Sequence, residues 1–203
     1  MAQHVGETGQ GAFTWTGPYG GGKSSLALAF ACLAGAKKAV RDQAIDIFGE
    51  QTVTALKSAL PYFPSRWDVI PVVTEKRSLT AQLAEMLGLT DTKAVSSQAV
   101  LDALTKRSSE RGLVLIMDEL GRGLEADAAG EGDVHILQDI AELASRSEGR
   151  FLFIGILHQA FEEYAEKLGR EARDSWAKIQ GRFVDISISV SLDETIELIA
   201  EAI

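Results

Sequence analysis

The residues most suited to chemistry form one run, Gly17-Pro18-Tyr19-Gly20-Gly21-Gly22-Lys23-Ser24, with Ser25 directly after it. Their spacing fits G-x-x-x-x-G-K-[ST], the Walker A pattern of a phosphate-gripping loop. Glycines let such a loop turn tightly and bring several backbone N–H groups around phosphate oxygens, with no Cβ in the way. A helix starting at Lys23 would aim its positive end at the same anion. Lys23 has the reach for the β- and γ-phosphates, and the Ser24 hydroxyl can ligate Mg2+. The plainer alternative is a glycine-rich turn that happens to end in Lys-Ser. The apolar run Ala12 to Trp15 before it and the helical run after it favour the cradle.

A second polar cluster, Asp118-Glu119, closes the apolar run Leu113-Val114-Leu115-Ile116-Met117. A carboxylate at the carboxyl end of a buried parallel strand faces the crevice in which doubly wound sheets bind nucleotides. Asp118 would then hold Mg2+, directly or through water, opposite Ser24. Glu119 would accept a proton from an attacking water. A third cluster, His158-Gln159, ends the apolar run Phe151 to Leu157. Either side chain can hydrogen-bond a water or a phosphate, and pattern does not choose between them. A satisfied core histidine is the plainer alternative. Arg170, Arg173 and Arg182 follow. An arginine can stabilise charge on a transferred phosphoryl group, including one in a neighbouring subunit. Exposed arginines otherwise sit in weak surface ion pairs.

The elements that must position these groups alternate along the chain. Strands are predicted at 12–15, 67–73, 113–117, 151–157 and 184–190, the second at an edge because Pro71 removes a ladder donor. The two continuous apolar runs are what parallel strands buried on both faces require. Helices are predicted from Lys23 to Gly35, at 39–48 and 52–60 before Pro61 and Pro64 break the pattern, and at 79–87 and 96–107. Ser191-Leu-Asp-Glu194 reads as a capping box opening a closing helix. Gly121 to Asp133 is rich in glycine and acid and reads as an exposed loop. Strands separated by helices imply right-handed crossovers and one α/β layer domain.

Composition excludes several classes. Across 203 residues, 46% hydrophobic and 24% charged are ordinary globular values, unlike those of a disordered chain. The single cysteine, Cys32, rules out a disulfide framework or a CxxC zinc site, and His4, His135 and His158 lack metal-ligand spacing. Twenty Lys+Arg against 29 Asp+Glu give a net charge of −9, which disfavours broad nucleic-acid binding, although a local basic patch stays compatible with it. The longest apolar stretch, Leu26 to Ala36, is far short of the ~20 residues that span a bilayer. Met1-Ala2-Gln3-His4 does not open a secretory signal. These features predict a soluble, cytoplasmic protein.

The same residues resemble the ASCE division of P-loop ATPases (additional strand, catalytic Glu), and within it the AAA+ and STAND-like ATPase domains. The resemblance implies a three-layer α/β fold with a mainly parallel five-stranded sheet in the order 5-1-4-3-2 and helices on both faces. It puts His158-Gln159 beside the γ-phosphate in the role called sensor 1, usually filled by Asn, Thr or Ser. Gly181-Arg182-Phe183 is similar to the Gly-Arg-Phe of AAA proteins, whose earlier arginine is matched here by Ile179. More narrowly, Asp118-Glu-Leu-Gly121, Gly132 to Ala141, Leu157 to Phe161 with Tyr164, and Trp176 to Phe183 look similar to the ATPase module of large bacterial ATP-binding proteins, some linked to phage defence. The resemblance implies one ATPase domain over 1–203, with a helical insertion at about 36–66. The C-terminal lid domain is expected to be absent, because only Ser191 to Ile203 follow the fifth strand. The LSGGQ signature of ABC transporters does not occur.

The implied activity is Mg2+-dependent hydrolysis of ATP to ADP and phosphate, driving a conformational switch or assembly in a homo-oligomer or larger ATPase complex. Lys23, Glu119, His158, Gln159 and Arg182 would be catalytic, Gly17 through Ser25 would bind nucleotide, and Ser24 and Asp118 would hold the metal. Two alternatives stay open: a nucleoside or small-molecule kinase, and an ATP-binding interaction module that does not hydrolyse.

Overall fold

The two unbroken apolar runs become the middle of the sheet. The computed structural model describes residues 1–65, 67–89, 95–130, 132, 134–165 and 170–188. Its strands are β1 (Ala12–Thr16), β2 (Trp67–Val73), β3 (Gly112–Asp118), β4 (Phe151–Leu157) and β5 (Val184–Ser187). They form one sheet in the order β2-β3-β4-β1-β5, with every pairing parallel. This is the expected order read from the other edge. Every residue of β4 is buried, as is every residue of β3 except Asp118. Pro71 lies in β2, an edge strand, as its missing N–H requires.

Direction of travel across the sheet decides which face each helix covers. β1 to β2 moves one way, and β2 to β3, β3 to β4 and β4 to β5 all move the other. Right-handed crossovers therefore send the first connection to one face and the later three to the opposite face. Accordingly α2 (Lys23–Gly35), α3 (Lys38–Phe48) and α4 (Glu50–Ala59) pack with the N-terminal α1 (Ala2–Thr8) over Phe13, Trp15, Val114, Ile116, Leu152, Ile154 and Ile156. The other face, with Leu113, Leu115, Met117, Phe151, Phe153 and Leu157, is covered by α5 (Leu79–Met86), α6 (Ser97–Glu110), α7 (Leu120–Ala128), α8 (His135–Arg146), α9 (Phe161–Ala165) and α10 (Arg170–Gln180). Odd and even residues of β3 thus serve two separate cores, following the period-2 pleat.

One expectation is corrected. The segment from Gly121 is not an exposed loop, because residues 120–128 form α7, with Leu120, Gly121, Gly123, Leu124, Ala126 and Asp127 buried. Its glycines are places of close approach: a Cβ on Gly121 would lie 2.3 Å from the Tyr164 oxygen, and one on Gly123 2.2 Å from Leu79. Four further helices not predicted from the sequence, α1, α8, α9 and α10, complete the layers. β5 ends at Ser187, although the Ile188 N–H still donates to the Thr16 carbonyl at 2.7 Å. Positions 189 and 190 of the predicted strand and the Ser191-to-Glu194 capping box lie outside the described residues. Among the described residues, no helix is long and apolar enough to cross a membrane.

Candidate functional site

Parallel strands put all their carboxyl ends on one edge, and the polar clusters meet there. Thr16, Leu157 and Asp118 end β1, β4 and β3, and pair in register with neighbouring strand ends. The helix after β1 covers one face and the helix after β4 covers the other, so a crevice opens between their starts, the usual ligand position in open α/β sheets.

The loop after β1 is built for close approach. Gly20 and Gly22 have φ of +77°, where a side chain would be strained and where no neighbouring atom lies within contact of an added Cβ. Gly22 is the N-cap of α2, and no side chain caps the first turn. The amides at the start of this helix are therefore left for an anion. Lys23 is only 4% exposed, and its Nζ donates to the carbonyls of Gly17 at 2.6 Å and Pro18 at 2.7 Å. Burial holds its ammonium below the ordinary lysine range, while the charges of Asp118 and Glu119 act in the opposite direction. Those Coulombic contacts tie the loop to the acidic pair. Ser24 and Ser25 are exposed on the first turn of α2.

The acidic pair sits on a tight corner between β3 and α7. Asp118 Oδ1 accepts from the Glu119 N–H at 2.8 Å, and the Asp118 carbonyl accepts from the Thr74 N–H at 2.8 Å. Glu119 adopts φ +56°, a left-handed conformation uncommon for a side-chain-bearing residue and concentrated at functional sites. Its carboxylate is shared: His158 Nε2 lies 2.9 Å from Oε1, and Arg122 Nε lies 3.4 Å from Oε2. Neither ring nitrogen of His158 completes a hydrogen bond among the described residues. The contact to Glu119 is therefore close but off the N–H direction. Buried nitrogens left this way cost about 1–3 kcal/mol and mark groups built for another partner.

Two tyrosines bracket the histidine. The Tyr19 ring stacks on the His158 ring, with centroids 3.6 Å apart and planes 20° from parallel. Tyr164, from α9, makes backbone hydrogen bonds at His158 and Gln159. Burial pushes its phenol above the usual tyrosine range, and those backbone bonds pull the other way. Gln159 follows His158 at the same edge and is half-buried.

The structure thus brings together the loop from Gly17 to Ser25, Asp118, Glu119, His158 and Gln159. Arg182 is elsewhere. It precedes β5 at the amino edge of the sheet, where Gln10 donates to its carbonyl and its Nη2 lies 3.0 Å from Glu142 Oε1. A strand's length of roughly 10 Å or more separates it from the loop in its own chain. Arg173 is exposed on α10. Two groups at the carboxyl edge were not read from the sequence. Arg122 was legible as an i, i+3 partner of Glu119. Thr74, fully buried directly after β2 with a hydroxyl that finds no partner among the described residues, was legible by the strand-end rule that marked Asp118.

The site can also be tested for a metal. Among the described residues, no three His, Cys, Asp or Glu side chains gather to hold one. Mg2+ takes one or two protein donors and completes its shell with phosphate oxygens and water. The hydroxyl of Ser24 and the carboxylate of Asp118, only one of whose oxygens takes the neighbouring amide, fit that requirement.

No family model matches the chain, and no curated protein matches it. Among solved structures, the ORC2 protein of Aeropyrum pernix in its ADPNP-ADP complexes aligns with a TM-score of 0.54 at 13% identity, over 99% of this chain and 48% of that one. Drosophila ORC bound to DNA aligns with a TM-score of 0.49 at 14% identity, over 98% of this chain and 44% of that one. C. elegans PCH-2 aligns at 0.45 and 13% identity, over 100% and 43%. The last two alignments are too loose to carry an argument. This chain spans about half the length of the structures it aligns with. At such identities the likeness is one of fold alone: a five-stranded parallel α/β sheet in the order β2-β3-β4-β1-β5 with helices on both faces.

Proposed function

We propose that this domain binds Mg-ATP and hydrolyses it to ADP and phosphate, with Glu119 as the base. The observation that carries this reading is the meeting of a buried Lys23, uncapped helix-start amides and the Asp118-Glu119 corner on one edge of the sheet. A loop of amides and one ammonium suits the charge of a triphosphate. When bound, Mg2+ would supply charge neutralisation on the phosphates, with Ser24 and Asp118 as its protein donors. Lys23 would exchange its bonds to the Gly17 and Pro18 carbonyls for phosphate oxygens. Glu119 would take the proton of the attacking water, and His158 or Gln159 would hydrogen-bond that water or the terminal phosphate. A hollow of about 500 Å3, lined by Trp15, Leu26, Phe30, Ile186 and Ile188, adjoins the first turns of α2. Its apolar walls suit a flat purine base.

Arg182 acts in trans on this reading, because its own site lies at the opposite edge. Turnover per subunit should therefore rise with protein concentration as copies associate. The hydrolysis cycle would drive a conformational switch in a larger bacterial ATP-binding assembly of which this chain is the ATPase module.

The test is a pair of variants read by calorimetry and phosphate release. Lys23→Ala should abolish ATP binding. Glu119→Gln should retain binding while turnover falls by about 100-fold or more. Unchanged hydrolysis in Glu119→Gln removes the proposed base. Phosphate transfer to a metabolite with no release to water would assign the scaffold to a kinase instead.

A further inference from the structure

A chain of contacts runs from the phosphate loop to the acidic corner through side chains alone. Tyr19 stands between the glycines of the loop, and its ring lies flat on His158 at 3.6 Å. His158 in turn lies 2.9 Å from Glu119, whose other oxygen meets Arg122. Among the described residues the buried ring nitrogens of His158 complete no hydrogen bond, so the 2.9 Å contact with Glu119 does not by itself fix the ring's orientation. The stack with Tyr19 is then the ring's orienting contact, while the Tyr164 hydroxyl acts on the backbone of the same residue. Tyr19 itself is 74% exposed. An aromatic ring that exposed gains little from burial, which leaves the stack as the contact it makes with the protein.

From this geometry we propose that the Tyr19 side chain is a positioning residue, which sets the His158 ring and through it the Glu119 carboxylate when the loop holds a phosphate. Its backbone amide belongs to the cradle, but its ring does separate work. A loop that shapes itself around phosphate carries Tyr19 with it, so the stack couples occupancy of the cradle to placement of the base. The inference rests on the hydrolysis reading above. Misplacing a reacting group by an ångström costs up to about 100-fold, and losing one of two supports for a side chain costs less.

The test compares Tyr19→Ala with Tyr19→Phe in the full chain, using steady-state phosphate release, calorimetry with Mg-ATP and imidazole proton NMR. Tyr19→Ala should lower kcat about ten-fold while the nucleotide Kd moves by no more than about two-fold, because the amide remains. Tyr19→Phe, which keeps the stack and loses only the hydroxyl, should restore kcat. With three histidines in the chain, the His158 signal is identifiable by its absence in His158→Gln. It should lie upfield under the tyrosine ring current, move downfield in Tyr19→Ala and stay in Tyr19→Phe, with the His4 and His135 signals fixed as evidence of folding. An unchanged or raised kcat in Tyr19→Ala, a loss confined to Kd, or failure of Tyr19→Phe to rescue overturns the proposal. A wild-type chain that binds Mg-ATP without turnover defeats the hydrolysis reading and the positioning role with it. The NMR result then still decides whether the stack exists.

Discussion

The two edges of the sheet treat polar groups in opposite ways. At the amino edge they are mostly matched. Gln10 Oε1 accepts from Ser145 at 2.7 Å while its amide donates to the Arg182 carbonyl, and Glu142 takes Arg182 on one oxygen and Arg146 on the other. Among the described residues, the Arg182 Nε is the buried polar atom there without a partner. At the carboxyl edge the accounts are left open. His158 and Thr74 bury polar atoms without hydrogen bonds, Glu119 holds a strained φ, and Lys23 is bonded to carbonyls of its own loop. Buried polar groups are normally satisfied, and strain is retained where surrounding structure enforces it. The contrast sets an edge whose polar groups are largely satisfied by the protein against one whose open groups fit the ligand proposed above.

The sharpest way to break the contrast is at Lys23. Replacement by Met should weaken Mg-ATP binding by at least about 100-fold by calorimetry, since an ammonium is lost from the phosphate contacts. A smaller effect follows from the packing behind the carboxyl edge. Gly121→Val sets a side chain where the Tyr164 ring lies 2.3–2.4 Å away, and should cost about 1–3 kcal/mol in urea unfolding. The amino edge offers a weaker response. Glu142→Ala removes two part-exposed ion pairs and should cost under about 1 kcal/mol by the same measurement. Smallest is a pH effect from Tyr164. Its folded pKa is raised, so the folded state keeps its proton where the unfolded chain begins to lose it, and stability falls as pH rises above about 10. Urea melts of wild type and Tyr164→Phe should diverge there, with wild type falling faster.

How much of this was legible in the sequence depended on distance along the chain. The Gly17-to-Ser25 loop and the Asp118-Glu119 corner are each contiguous, and β4 keeps its predicted limits because an unbroken apolar run has few other homes, while β2 keeps its limits with Asp68 and Pro71 inside it. The helix α7 was misread because Gly121 and Gly123 look like loop residues. They are glycine because Tyr164, Leu79 and Thr74 press against the helix, a tertiary demand no local pattern contains. The stack of Tyr19 on His158 joins positions 139 apart, and the bond from Gln10 to Arg182 joins positions 172 apart. Strand order must be known before either pairing can be imagined. Arg122 was within reach of local reasoning, one helical turn from Glu119.

The most direct measurement is a crystal structure grown with Mg2+ and a non-hydrolysable ATP analogue. The account predicts the triphosphate wrapped by residues 17–24, with Lys23 Nζ moved from the Gly17 and Pro18 carbonyls onto phosphate oxygens and Glu119 facing the terminal phosphate. An analogue bound elsewhere, or a Lys23 still bonded to its own loop beside it, would contradict it.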